Sequence, residues 1–540
     1  SLHAGQVVPT GQCWYGSPAR PASADYDYRT VAPASTSRLR CVRSAAGRVM
    51  LLALVLAPLE AAVAALLLTH PGLIEKLPLT AGLLISAAVV LGAILASLIL
   101  AIGVPRLLTR ALKPGKVYPL YGFHFSAQRL IARTSNNSLL TGLLGDSCAI
   151  VHYLRALGYH FGPVEQTGSN FGLDVKQEVP TLSYIGTGTM VSDGLSIMNA
   201  EFSSTSFRVM PVVIGKRNYL GNAISYPAAA RAGDNVLFGS KAMVPIGGPM
   251  RSDVGLLGSP CFEIPRSVLR DKQFDEISTG KERKRCLAAK TRHNVVTMAL
   301  HLLVDYLLVL GLILIAASPL GGTGTTEWAG TVASTILELM FALGLFVLAE
   351  RAVTGFRALQ PRYCSIYQVE FWRHERLWKV APTNHVRMFD GTPFKSVMWR
   401  LLGVPVGRRV FDDGLTITER TLVRIGSEST FNMGSSLQSH TLEDGTFKSD
   451  HITVGNRCTV GTAALVNYGA VMEDGSVLDP DSFLMKGSRL EPAARWRGNP
   501  ATEVTTVTSP AANTPKGHAR RAKHIIDTGR ERNGSFRGSR

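Results

Sequence analysis

From residue 454 onward an apolar side chain returns at every sixth position: Val454, Val460, Val466, Met472, Leu478, Leu484 and Leu490. Ile425, Phe431 and Leu437 keep the same step upstream. A second region repeats it, with Ile185, Val191 and Ile197, then Ile214, Leu220, Tyr226, Ala232, Phe238 and Val244. A step of six suits neither an amphipathic helix nor an alternating strand. It suits a triangular coil whose three sides are short strands, each pointing one apolar side chain inward and ending at a small or turn-prone residue. Gly215, Gly221, Gly233, Gly239, Gly455 and Gly461 follow six of the inward positions. This is the hexapeptide pattern of a left-handed parallel β-helix.

The two regions are copies. Each run breaks once by seventeen residues, from Ile197 to Ile214 and from Leu437 to Val454. Seventeen is not a multiple of six, so a loop is expected to leave the coil there. Similar segments lead in (Leu154–Gly158 with Gly162, Trp399–Gly403 with Gly407) and lead out (Leu257-Gly258-Ser259-Pro260, Arg497-Gly498-Asn499-Pro500). A third lead-out, Gly16-Ser17-Pro18, stands near the start, preceded by Leu2 and Val8. One coil cannot bury a core alone, so the chain is expected to open on the end of a truncated first β-helix.

Four apolar runs, about 49–70, 79–104, 296–317 and 330–349, reach the roughly 20 residues that a membrane-crossing helix needs. They form two hairpins. Arg38, Arg40, Arg43 and Arg48 precede the first, and Arg106, Arg110, Lys113 and Lys116 follow it. Lys281, Arg283, Lys284, Arg285, Lys290 and Arg292 precede the second, which Arg351, Arg357 and Arg362 follow; the short connections hold only Lys76. The positive-inside rule then places every soluble domain on the cytoplasmic side of the cell membrane. The chain carries 57 Lys+Arg against 39 Asp+Glu, a net charge of +18. That excess is assigned to topology and anionic lipid, with no nucleic acid required. Glu60, Asp305 and Glu338 fall inside the spans and are read as protonated carboxyls bonded to neighbouring helices, with an ion or polymer path as the alternative. Seven scattered cysteines suggest reduced thiols and no zinc site, so no metal is expected.

The expected layout is the last coil of a first β-helix (1–20), a linker (21–48), a membrane hairpin (49–104), a second β-helix domain (105–270), a basic linker (271–295), a second hairpin (296–349), a third β-helix domain (350–504) and a basic disordered tail (505–540). The fold class is mixed membrane and β: tandem left-handed parallel β-helices of the trimeric LpxA-like type, separated by transmembrane α-helical hairpins.

Chemistry is sought on the expelled loop, Ser439-His440-Thr441-Leu442-Glu443-Asp444. His440 is the candidate general base, with Glu443 or Asp444 to orient its ring. An ungapped alignment of the copies sets Ala200 opposite His440, so the middle domain is a structural or binding repeat, or uses Glu201. Neither a phosphate-binding loop, a nucleophile elbow nor a dinucleotide fingerprint is present.

The segments Gly391-Thr392-Pro393-Phe394, Trp399-Arg400-Leu401-Leu402-Gly403, Ser439–Asp444, Met485-Lys486-Gly487 and Trp496–Ala501 resemble the C-terminal region of Pls/PosA-type non-ribosomal peptide synthetases, whose best-known type is poly-ε-lysine synthetase. Gly233–Leu237 and Val254–Pro260 of the middle domain resemble it too. The resemblance implies a membrane-bound acyl or aminoacyl transferase that forms amide bonds between carrier-bound amino acids. It implies upstream adenylation and carrier domains as partners, in the same or a separate chain, and no cofactor bound by this chain. The acyl donor would arrive on phosphopantetheine. Two other readings stand beside it: a stand-alone acyl-CoA-dependent hexapeptide transferase, and a non-catalytic membrane scaffold or export module. Three tandem copies would form a pseudo-trimer within one chain.

Overall fold

The six-residue step becomes three parallel sheets visited in rotation. In the last domain Ile425 pairs with Val454, Val454 with Met472, and Met472 with Leu490. Phe431, Val460, Leu478 and Trp496 make a second row, and Leu437, Val466 and Leu484 a third. After the break each partner lies eighteen residues further on, three six-residue sides per turn. The middle domain repeats this, with rows Ile185–Ile214–Ala232, Val191–Leu220–Phe238 and Ile197–Tyr226. Every one of these residues except Trp496 is buried.

The structure, a computed structural model, describes residues 2, 6–21, 31–34, 38–39, 41–46, 78–162, 177–266, 274, 280–316, 327–380 and 384–504. The expected first span (49–70), with Glu60, and the expected tail (505–540) lie outside the described residues. The described residues up to Glu503 belong to one compact unit.

Aliphatic layers supply the cohesion. Leu478 is fully buried, and burial of a leucine side chain contributes about 1.5–3 kcal/mol by transfer alone. Leu478→Ala should therefore cost about 2–5 kcal/mol, read as a lower thermal midpoint. The corners hold a feature that the sequence hides. The third residue after most inward positions has a left-handed backbone: Arg217, Ala223, Ala229, Asn235 and Lys241 in one domain, Arg457, Ala463, Gly469, Gly475, Asp481, Gly487 and Ala493 in the other. Most of these residues carry a Cβ, which that conformation disfavours by about 1–2 kcal/mol. Ala493→Gly is expected to raise stability by up to about 1 kcal/mol, the relief being offset in part by glycine's entropy. The glycines directly after inward positions answer a different need. A Cβ on Gly215 would strike the backbone of Gly233 in the next turn.

Three helices are long and apolar enough to cross a membrane: Leu79–Ala111, Gly280–Ala316 and Ala329–Val353. Their apolar side chains face outward, as at Leu84 and Ile99. Asp305 does not stand alone, because its carboxylate lies 3.5 Å from His301 Nε2 one helical turn away.

The lead-outs meet in a ring. Ser17 N–H donates to the Ser259 carbonyl (2.8 Å), Ser259 N–H to that of Asn499 (3.0 Å), and Asn499 N–H to that of Ser17 (3.0 Å). Each is followed by a cis proline. An antiparallel strand pair brackets each one: Trp14–Tyr15 with Arg20–Pro21, Val254–Leu257 with Phe262–Pro265, and Arg495–Arg497 with Thr502–Glu503.

Candidate active site between the two coil domains

The expelled segment is not an open loop. In the last domain Arg362–Ser365, Thr446–Ser449 and His440–Thr441 form a three-stranded antiparallel sheet. Val117–Pro119, Ser206–Val209 and Ala200–Phe202 form its counterpart in the middle domain. Residues expelled from a coil still carry backbone donors and acceptors, and this sheet pairs them. His440 is consequently buried, at 2% exposure.

The carboxylate that orients the ring is Glu419, not Glu443 or Asp444. Glu419 is fully buried, and its carboxylate accepts the His440 Nδ1 proton at 2.9 Å. It also accepts from Trp378 Nε1 (2.8 Å) and Thr418 Oγ1 (2.7 Å), while His374 Nδ1 lies 3.5 Å away. Trp378, on the helix Val369–Val380, stacks on the imidazole with centroids 4.4 Å apart, and Phe447 closes another side. Glu443 instead accepts from Lys486 Nζ at 2.8 Å. Asp444 takes both guanidinium nitrogens of Arg266 at 2.7 and 2.8 Å, which ties this segment to the middle domain. Their nearness to His440 in sequence is lost at the turn, where Asp444 has φ 50°.

With Nδ1 bound to Glu419, Nε2 faces the middle domain. Asp193 Oδ2 lies 3.4 Å from it, and the Gln438 amide lies 3.2 Å from it while donating to Asp193 at 2.9 Å. Tyr219, hydrogen-bonded to Ser192 at 2.8 Å, approaches Thr441 Oγ1 at 3.3 Å across the same seam. Lys241 Nζ bonds Asp481 at 2.6 Å further along it. The site is thus composite, with the imidazole from one coil domain and the opposing carboxylate from the other.

Electrostatics follow from this enclosure. Burial by itself lowers the basicity of His440, but the Glu419 and Asp193 carboxylates overcome it and raise its pKa to about 10. Burial by itself raises the Glu419 pKa, and the opposing charge of His440 with the hydrogen bonds of His374 and His440 holds it well below the ordinary carboxylate range. Asp146 sits behind Asp193; burial and the Asp193 charge push it up to about 8. Burial pulls Lys379 down to about 8, against the opposing pull of Asp146 and Glu375. The Lys379 ammonium donates to the carbonyls of Leu143 (2.9 Å), Gly142 (3.3 Å) and Gly145.

The middle domain lacks the whole constellation. Ala200 stands where His440 stands, and Val179 where Glu419 stands. From the paired strands Tyr118–Phe207 and Cys364–Phe447, Ala132 corresponds to Trp378 and Gln128 to His374. The buried Gln128 amide has no hydrogen-bond partner among the described residues. Glu201, the alternative base, is paired with Arg208. Ala200→His is therefore expected to create no second site: product formation by an Ala200→His, His440→Ala double variant should match that of His440→Ala alone.

The chain is thereby a hexapeptide-repeat β protein with apolar helices of membrane-spanning length and a buried His–Glu pair at a seam between two coil domains. Its resemblance to the Pls/PosA synthetases is matched by a curated protein, the delta-poly-L-ornithine synthetase of Acinetobacter baumannii (strain AB307-0294). That relative is 26% identical over 396 residues, which are 71% of this chain and 29% of the relative, so the chain spans under a third of its length. Similar solved structures include a hexapeptide-repeat acetyltransferase of Vibrio cholerae O1 biovar eltor complexed with acetyl coenzyme A (13% identity, 35% of this chain, 92% of that one, TM-score 0.20). Soybean serine acetyltransferase complexed with serine is another (14% identity, 38% and 76%, TM-score 0.19). No family model matches the chain.

Proposed function

We propose that this chain is the amide-bond-forming module of a membrane-bound non-ribosomal peptide synthetase, an acyl or aminoacyl transferase that condenses carrier-bound amino acids. The observation that carries this reading is the buried His440–Glu419 pair, whose second imidazole nitrogen opens onto the seam between the coil domains. Similarity to a poly-ornithine synthetase over 71% of the chain supports it. Neutral His440 would take a proton from the incoming ammonium at Nε2, while Nδ1–H stays on Glu419. The freed amine attacks the thioester carbonyl, the new C–N bond forms, and the C–S bond breaks. The nitrogen then loses its second surplus proton, so one proton goes to the departing sulfur and one to solvent. Phosphopantetheine enters as part of the substrate, carried by an upstream domain; adenylation and carrier domains are the proposed partners.

In the same reading the coils are left-handed β-helices of the trimeric LpxA-like type, grouped as an intramolecular pseudo-trimer. Support comes from the eighteen-residue pairing interval and from the three-membered ring of Ser17, Ser259 and Asn499. The helices cross the cell membrane and leave the coils on the cytoplasmic side, as the Lys/Arg placement favours. The middle domain acts as a partner surface, since Ala200, Val179 and Ala132 carry no proton-transfer chemistry.

The test is direct. Membranes holding the full synthetase are given the amino acid it activates, and both carrier-bound thioester and amide product are measured. Amide product that forms at the expense of thioester supports the reading. Thioester that accumulates and is lost only by hydrolysis refutes it.

A further inference from the structure

Resting on that reading of His440, we infer that Asp193 is the residue that receives the acceptor's ammonium group, so that the middle domain supplies the acceptor subsite of a site whose base lies in the last domain.

The geometry restricts the choice of residue. An amine must lie within reach of His440 Nε2 before it can surrender a proton. The charged group nearest to that nitrogen is the Asp193 carboxylate, 3.4 Å away. Glu419 is fully buried on the opposite edge of the ring, and its oxygens are taken up by His440, Trp378 and Thr418. Asp146 is buried, and burial next to Asp193 favours its neutral form. Asp193 keeps 37% of its side chain exposed, so it alone among these carboxylates can meet a ligand arriving from solvent. Gln438 fixes the carboxylate by donating to Oδ2 at 2.9 Å. Asp193 also sits in a tight turn closed by Gly194 (φ 76°) and by the Ala223 N–H donating to its carbonyl at 2.8 Å, which holds it in place.

The same contact resolves a difficulty in the chemistry. In the empty site two carboxylates flank the imidazole, and the ring holds its proton too tightly to serve as a base near neutrality. An ammonium seated on Asp193 brings a positive charge beside the ring and occupies the carboxylate that held it. Both effects lower the basicity of the imidazole, so its proton leaves to solvent past the half-exposed Asp193 and neutral His440 remains beside the acceptor. His374, Gln438, Trp378 and Phe447 complete the ring's surroundings without adding a further carboxylate. Acceptor binding thus arms the base, and a site without an acceptor spares the thioester from water.

Trp378 provides a readout that needs no turnover, because a stacked imidazolium quenches indole emission differently from a neutral imidazole. The difference in emission between wild type and Trp378→Phe is titrated with pH, in sodium chloride and in equal ethylammonium chloride. Wild type should show a His440 midpoint that ethylammonium lowers. Asp193→Asn should show a lower midpoint from the start and no response to ethylammonium. Equal responses in both proteins, or none in wild type, overturn the inference. In the intact synthetase, Asp193→Asn should raise KM for the amine acceptor about tenfold or more, with Asp193→Glu restoring part of the loss. An unchanged KM also overturns it. Absence of amide formation in wild type would count against the amide-forming role instead, and the emission titration would still decide the role of Asp193.

Discussion

His440→Ala is expected to reduce amide formation by about 10²–10⁴-fold, the range over which a positioned general base contributes, while loading of the thioester continues. The alanine variant also strands Glu419, so folding has to be separated from chemistry. His440→Gln does this: a glutamine amide can still donate to Glu419 but cannot accept a proton, so it should be as inactive as alanine and closer to wild type in thermal midpoint. If either variant forms polymer at the wild-type rate with equal expression, His440 is not the base. The pH profile adds a second check. The base is active when neutral and its folded pKa is about 10, so at low acceptor concentration the wild-type rate should climb with pH through the neutral range and level off near that value.

Glu419→Ala should be the most damaging single change to the domain. It removes the partner of a buried imidazolium and leaves Trp378 Nε1 and Thr418 Oγ1 without their acceptor. Losing one member of a buried pair costs about 3–5 kcal/mol, a large share of a typical domain's stability. The pH dependence of wild-type stability carries the matching signature. The His440 pKa is raised in the fold, so its contribution is complete below its ordinary value of 6.5 and fades as pH rises through about 10. The Glu419 pKa is depressed, so its contribution is present above 4.5 and fades as pH falls toward its folded value. Unfolding midpoints measured from acid to alkali should therefore form a plateau between these limits, and Glu419→Gln should flatten the acid shoulder and shrink the alkaline one to what Asp193 sustains. A variant that keeps the whole alkaline shoulder would show that Asp193, and not Glu419, raises the imidazole.

The rows of inward residues were readable because a single geometric demand, one apolar side chain per coil side, repeats without regard to what lies beyond the coil. Val454 through Leu490 needed only counting. His440 was also readable, since a break in the step marks where the chain leaves the coil. Its partners were not. Glu419 precedes it by twenty-one residues, and Asp193 belongs to the other domain. Proximity in sequence favoured Glu443 and Asp444, yet the left-handed turn at Asp444 sends both toward basic side chains elsewhere. One signal was present at the level of sequence. When the copies are aligned, Glu419 falls opposite Val179 just as His440 falls opposite Ala200, and two polar residues present together in one copy and absent together from the other point to a shared task. The corner positions stayed hidden for another reason, because Arg457, Ala463 and Asp481 adopt a left-handed backbone through the demands of the coil and against their own preference.

The seam joining Asp193 to His440 bears on how such a chain can diversify. Where identical subunits assemble, a mutation that ruins the base ruins it at every seam at once. Covalent duplication removes that constraint. One copy can then carry Ala200, Val179 and Ala132 where the other carries an imidazole, a carboxylate and an indole, and still present its outer face to the substrate of its neighbour. Recognition and proton transfer then become separately heritable. Changes around Asp193 can retune which amine is admitted without touching the residues that move its proton.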